Sequence, residues 1–115
     1  MVILFSGHRN RKASNSDLCK IIDHFPGAVW LHGGAIGFDS QVELFARENG
    51  VQTQVIRPDY GLFGKAAPLR RNDQMIELCD LVIALYDGRK SGGTFYTIKK
   101  AREMGIKVII IQPEY

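Results

Sequence analysis

No apolar run in this chain approaches the roughly 20 residues that a membrane-spanning helix needs. The opening Met1-Val2-Ile3-Leu4-Phe5 is too short for a secretory leader and has no basic residue ahead of it. It is expected to be a first strand of a cytoplasmic protein. Cysteine is scarce: Cys19 and Cys79 share no ligand spacing with the three histidines, and each falls at an apolar position of a helical pattern. Reduced core thiols are expected rather than a disulfide or a metal site, and no cofactor is implied. Nor is there a large excess of one charge. Fifteen Lys and Arg against 12 Asp and Glu give +3, which is thin for a nucleic-acid binder and suits a small anion such as a nucleotide. Repeats, low-complexity tracts and linkers are absent, so residues 1–115 read as one domain.

The three-glycine dinucleotide fingerprint is also missing. The first strand turn, Ser6-Gly7-His8-Arg9-Asn10, has Gly7 alone, which argues against an ordinary NAD or FAD Rossmann enzyme.

What is present is an alternation of strand and helix patterns. Strands are expected at 2–5, 28–31, 51–56, 81–85 and 107–111, apolar without alternation as in parallel strands covered on both faces. Between them fall a helix from Ser14–Asp17 to Phe25, stopped by Pro26-Gly27, and a second from Phe38 to Asn49, stopped by Gly50. A third starts near Pro68, with Leu69, Asn72, Met75, Ile76 and Cys79 inward. The last carries Phe95, Ile98, Ala101 and Arg102 on one stripe. Arg57 to Ala67 is expected to be a long binding loop. Right-handed crossovers make this an α/β Rossmann-like three-layer fold, with a doubly wound parallel five-stranded sheet in the order 3-2-1-4-5. Ligands of such sheets sit beyond the carboxyl ends of the strands.

At that edge the sequence places two strand-to-helix turns rich in glycine. Ser91-Gly92-Gly93-Thr94 follows the fourth strand and Gly33-Gly34-Ala35-Ile36-Gly37-Phe38-Asp39 follows the second. Each is expected to point free backbone N–H groups at an anion, so that two cradles hold one ligand. Arg9 offers a planar fork for phosphate or base, and its alternative is an exposed loop arginine. Asp39 caps its helix, accepts from a ribose or activates a water. Glu43 is better explained as the ion-pair partner of Arg47 one turn on, while remaining an acid candidate. Arg71 and Asn72 open the third helix, where cations gain nothing from the dipole and a ligand would explain them. Asp87-Gly88 makes a turn at the rim.

Taken together, Gly7-x-Arg9, Gly33-Gly34-Ala35-x-Gly37-x-Asp39, Arg71-Asn72 and Asp87-Gly88-x-x-Ser91-Gly92-Gly93-Thr94 resemble the SLOG superfamily across nearly the whole chain, most closely its small stand-alone YspA-like branch. That superfamily also holds Lonely-Guy-type phosphoribohydrolases and the DNA-processing protein A fold. The resemblance to the hydrolases implies cleavage of a nucleoside monophosphate to base and ribose 5-phosphate, through an arginine that Arg71 matches and a glutamate three residues after the Gly-Thr pair. Thr97 stands at that second position, and the proline that begins the hydrolase motif is absent. Catalysis would then need Asp39 or Glu43 as a substitute. The resemblance to the DNA-processing branch implies single-stranded DNA binding, for which Tyr60, Phe63, Lys65, Arg70 and Arg71 would supply a basic groove with aromatics. The reading preferred from sequence is binding or sensing of a nucleotide-derived ligand of the NAD or ADP-ribose type. The monophosphate hydrolase is the alternative, single-stranded DNA the second, and related folds suggest a homodimer through helices.

Overall fold

The computed structural model describes residues 1–114. Five parallel strands, β1 (Val2–Gly7), β2 (Val29–His32), β3 (Thr53–Val55), β4 (Leu81–Leu85) and β5 (Lys107–Ile111), form one sheet in the order β3-β2-β1-β4-β5. The expected α/β architecture and strand order are therefore those of the molecule. Helices α1 (Asn15–His24) and α2 (Phe38–Glu48) cover one face, and α4 (Ala67–Leu78) and α5 (Gly93–Glu103) the other. No helix is long and apolar enough to cross a membrane.

The centre of the sheet explains the uninterrupted apolar runs. Ile3 and Phe5 of β1 and Ile83 and Leu85 of β4 face α1 and α2, while Leu4, Val82 and Ala84 face α4 and α5. Both sets are buried, so neither strand has a polar side to alternate with. Phe5 packs on Trp30 with ring centroids 4.6 Å apart and on Phe38 at 6.2 Å. Each such aromatic contributes about 1.5–3 kcal/mol through burial. Phe38 opens α2 and lies so close to the end of β1 that a Cβ on Gly7 would stand 2.7 Å from its ring Cγ. Gly7 is thus a glycine for packing. Ser14 caps α1 by accepting the Asp17 N–H at 3.1 Å. Gln41 of α2 clamps the preceding loop, accepting the Ala13 N–H at 2.9 Å and donating to its carbonyl at 2.8 Å.

Several expectations need correction. Residues 60–66 are no open loop but a four-residue helix, α3 (Tyr60–Phe63), capped by the Asp59 carboxylate through the Leu62 N–H at 3.0 Å, followed by a 3-10 turn (Gly64–Ala66). Aspartate three residues before an amide donor was the legible signal. Cys19 is exposed, one position past the buried Leu18 on α1, while Cys79 is buried as expected, its thiol pushed up to about 11 by desolvation. Leu69 is exposed because α4 turns Ala67, Asn72, Met75 and Ile76 inward. On α5 the buried stripe is Thr94, Thr97, Ile98 and Ala101; Arg102 points to solvent. On α4 the expected stripe holds at Asn72, Met75 and Ile76 and only Leu69 departs from it, whereas on α5 the stripe is rotated by about one residue, exchanging Phe95 for Thr94 and Thr97.

Candidate functional site

A cleft of about 980 Å3 opens at the carboxyl ends of β1 and β4, within the range of small-ligand sites. Its walls bring together Gly7, Arg9, Asp39, Arg71, Asn72, Ser91, Gly92, Gly93 and Thr94 among the residues expected at the site. Gly33, Gly34, Gly37, Glu43, Asp87 and Gly88 are not on those walls.

The two glycine turns differ fundamentally. In Gly33-Gly34-Ala35 every backbone polar group is already taken by a side chain. Asp39 Oδ2 accepts the N–H groups of Gly33 and Ala35, both at 3.2 Å, and His32 Nδ1 accepts that of Gly34 at 3.0 Å. The carbonyls accept from Arg71 Nη1 at 2.7 Å, Arg57 Nη1 at 3.2 Å and Ser40 Oγ at 3.1 Å respectively. None of these three amides is left for an anion, so Gly33-Gly34-Ala35 does not supply the N–H groups of the second cradle that the sequence suggested. Its glycines serve close packing: a Cβ on Gly33 would overlap the Arg71 guanidinium, and one on Gly34 would stand 2.7 Å from Arg57 Nη1. Asp39 consequently organises the loop instead of capping α2, whose N-cap is Gly37 with no side-chain cap bond.

At Ser91–Thr94 the opposite holds. The first bond within α5 runs from the Tyr96 N–H to the Gly92 carbonyl at 3.0 Å, and no side chain caps the end. The amides of Gly93, Thr94 and Phe95 therefore lack partners among the described residues. Asn72 lies beside them, only 7 % exposed. Arg71 Nε donates to its Oδ1 at 2.9 Å, which fixes the amide orientation and leaves Nδ2 as an unpartnered donor facing the cleft near Gly93. Thr94, 5 % exposed, adds its hydroxyl to the same wall.

The charge lining the cleft is lopsided. Arg9, Arg71, Arg89, Lys90 and Lys99 face a single carboxylate, Asp39. Burial raises the Asp39 pKa, against the pull of the Ala35 N–H, His32, Arg71 and the Gly33 N–H. Burial also lowers that of Arg71, Asp39 opposes, and Arg9 is near enough to add like-charge repulsion. Arg71 nonetheless remains a cation at neutral pH. Its Nη1 holds the Gly33 carbonyl and approaches that of Ile56 at 3.5 Å, leaving Nη2 for the cleft. Arg89 is less available. Its Nε and Nη2 grip the Asp87 carboxylate at 2.9 and 2.5 Å, and Arg11 Nε stands 3.5 Å away. Asp87 is thereby held well below the usual carboxylate range, chiefly by Arg89, and is not free for a ligand hydroxyl. His8, lowered by burial and then by Arg89, completes this cluster: its Nε2 lies 3.2 Å from the Asp87 N–H and 3.1 Å from Oδ1.

Glu43 belongs to a separate pocket of about 310 Å3 beyond the Gly33–Ala35 turn. It accepts from His32 Nε2 at 2.7 Å, Arg47 Nε at 2.8 Å and Thr53 Oγ1 at 3.1 Å. The ion pair with Arg47 was legible from the four-residue spacing; the His32 bond, which orients Nδ1 toward Gly34, was not, because it joins a strand end to a helix. Glu43 is out of reach of the main cleft as a catalytic acid. These bonds, the His32 one first, lower its pKa in the folded protein. The unfolded chain then holds more protons between that lowered value and the ordinary 4.5, so stability present above pH 4.5 is lost as the pH falls through the window. In Glu43→Gln the fall in urea midpoint on acidification is expected to be shallower than in the wild type. An unchanged slope would deny Glu43 that role.

Thr97 is 1 % exposed, and its hydroxyl is buried without a partner; it does not line the cleft. Among the described residues no group of three His, Cys, Asp or Glu is placed to hold a metal ion.

No protein-family model matches the chain. Compared with curated proteins, it is 36% identical over 89 residues to the Gene 61 protein of Mycobacterium phage D29, an alignment covering 72% of this chain and 70% of that protein. The chain belongs to the family of that phage protein. Family membership fixes common ancestry of the fold and leaves its chemistry to be argued from the cleft.

Proposed function

We propose that this member of the Gene 61 family binds a phosphate-bearing nucleotide or nucleotide derivative in the cleft beside α5, as the resemblance to the SLOG superfamily implies. The observation that carries the reading is the convergence of unpartnered donors: the Gly93, Thr94 and Phe95 amides, Asn72 Nδ2 and the Thr94 hydroxyl, with Arg9 and Arg71 Nη2 nearby. A helix start with free N–H groups and flanking guanidinium groups matches a phosphate in charge and geometry. Arg9 and Arg71 both line the cleft with the start of α5, so a cation remains for a second anionic group; that favours a diphosphate-linked ligand of the NAD or ADP-ribose type over a monophosphate.

Binding is favoured over hydrolysis by the acid inventory. Asp39 is the one carboxylate in the cleft, and its Oδ2 is engaged by two backbone amides; Glu43 is elsewhere and Thr97 brings no acid. Oxocarbenium chemistry wants a carboxylate pair about the scissile bond. Single-stranded DNA is supported less. Residues 60–66 lie outside the cleft walls, and the Phe63 ring already carries the Arg70 guanidinium at 6.0 Å.

The experiment is a thermal-shift screen against nucleoside mono-, di- and triphosphates, NAD, ADP-ribose and a short single-stranded oligonucleotide, with released base followed by chromatography. A ligand at 100 times its dissociation constant adds about 2.7 kcal/mol. Stabilisation by ADP-ribose or NAD without base release is expected; release of base from a monophosphate would make the protein a hydrolase, and a steeply salt-dependent response to the oligonucleotide alone would make it a DNA binder.

Gly93 supplies a sharper probe. Its backbone does not require glycine, and a Cβ there would meet Asn72 Nδ2 at an ordinary 3.5 Å. Gly93→Ala is therefore expected to change stability by no more than about 0.5 kcal/mol while weakening ligand affinity about tenfold, because the methyl stands where a phosphate would approach. Calorimetric titration beside a denaturation curve separates the two; equal affinity in the variant would empty the cradle of its role.

A further inference from the structure

The two edges of the sheet are unlike. The β3 edge is three residues long, and Pro58 follows within three positions, so little backbone is offered to a neighbour. At the other edge β5 runs for five residues, Lys107–Ile111, with four consecutive β-branched apolar side chains, no proline and a single charge at its start. The Ile111 carbonyl accepts the Tyr86 N–H, so Lys107, Ile109 and Ile111 turn their backbone groups toward β4. Val108 and Ile110 alternate with them and turn theirs away. Among the described residues these N–H and C=O groups have no partner, whereas the neighbouring Ile106 N–H is taken by the Ala101 carbonyl. The side chains of 108–111 are only half-buried on both faces.

We propose that this edge pairs antiparallel with the same edge of a second copy of the chain, joining the two sheets across a twofold axis. Self-pairing fits because the edge is its own complement: each of Val108 and Ile110 offers one donor and one acceptor. A twofold centred on Ile109 sets Val108 against Ile110 of the second copy. It also carries the two Lys107 side chains to opposite ends of the ribbon, so the edge's single charge does not meet its like. Ile109 and Ile111 of both copies then extend one apolar strip beside α1, covering surface that the isolated chain leaves half-open. This differs from the helix-mediated pairing expected from sequence, and it is independent of what the cleft binds.

The test uses the native chain. Sedimentation equilibrium is expected to give twice the 12.9 kDa chain mass. Amide exchange is expected to show Val108 and Ile110 slow in concentrated protein and fast on dilution, while Ile109, bonded to β4, stays slow in both. Val108→Pro removes an outward N–H and no bond to β4, and is expected to leave a folded monomer by circular dichroism. A monomer at several hundred micromolar overturns the proposal, as does a dimer in which Val108 and Ile110 exchange fast. If Val108→Pro does not fold, the native exchange pattern decides alone.

Discussion

Arg71→Ala is expected to weaken binding of a diphosphate-linked nucleotide by about 1.5–3 kcal/mol, the worth of a charge-assisted contact to phosphate, or roughly 10- to 150-fold in Kd. The guanidinium does two things at once. Nη1 pins the Gly33 carbonyl and Nε orients Asn72, whose Nδ2 thereby faces the cleft, so truncation removes a cation and frees a second donor to rotate. Arg71→Lys separates these effects. It keeps the charge but not the fork, and is expected to recover only part of the loss, since a point charge cannot hold the loop, Asn72 and a ligand together. Titration calorimetry checks both. Wild-type affinity in Arg71→Ala would remove the residue from the site.

The second large effect is on stability. Gly37→Ala is expected to cost about 2–5 kcal/mol, or roughly 10–20 °C in Tm. At φ +89° and ψ −124° Gly37 occupies a region that an L side chain rarely enters, and a Cβ would stand 2.6 Å from the Arg9 carbonyl carbon. That obstacle is backbone and cannot swing aside. Gly27→Ala is the matched control: φ is +77° there too, yet nothing lies within 4 Å of the added carbon. It is expected to cost about 1–2 kcal/mol from conformation alone. If the two variants melt together, the close approach of the β1 and β2 turns does not constrain the fold as described.

That close approach also shows where sequence reasoning succeeded and where it stopped. Strand order was legible because Ile3–Phe5 and Leu81–Leu85 are apolar on both faces, which only central parallel strands are, and the helices between them leave few topologies. The uncapped start of α5 was legible for a similar reason: Ser91-Gly92-Gly93-Thr94 between a strand and a helix brings glycine and no acidic capping side chain to the helix start. Gly33-Gly34-Ala35 looks the same in one dimension but differs in three. Its amides are taken by Asp39 and His32 and its carbonyls by Arg57, Arg71 and Ser40. Two of those partners, Arg57 and Arg71, lie more than 20 positions away in the chain. A glycine turn that needs its glycines to admit arginine side chains cannot be told from one that admits a phosphate until the arginines are placed. Likewise Asp87 reads as a rim residue able to meet a ligand, and only the grip of Arg89 on its carboxylate, with Arg11 and His8 beside it, shows that it is satisfied within the protein.

The contrast between the two turns supplies the most direct test of the central claim. Nitrogen–proton correlation spectra of labelled protein, titrated separately with ADP-ribose, NAD and AMP, report each amide individually. Saturable shifts are predicted for Gly93, Thr94 and Phe95 and for the Asn72 side-chain amide, with Gly33, Gly34 and Ala35 nearly still because their groups are bonded within the protein. Shifts confined to Gly33–Ala35, or no saturable shift with any of the three ligands at millimolar concentration, would contradict a phosphate cradle at the start of α5.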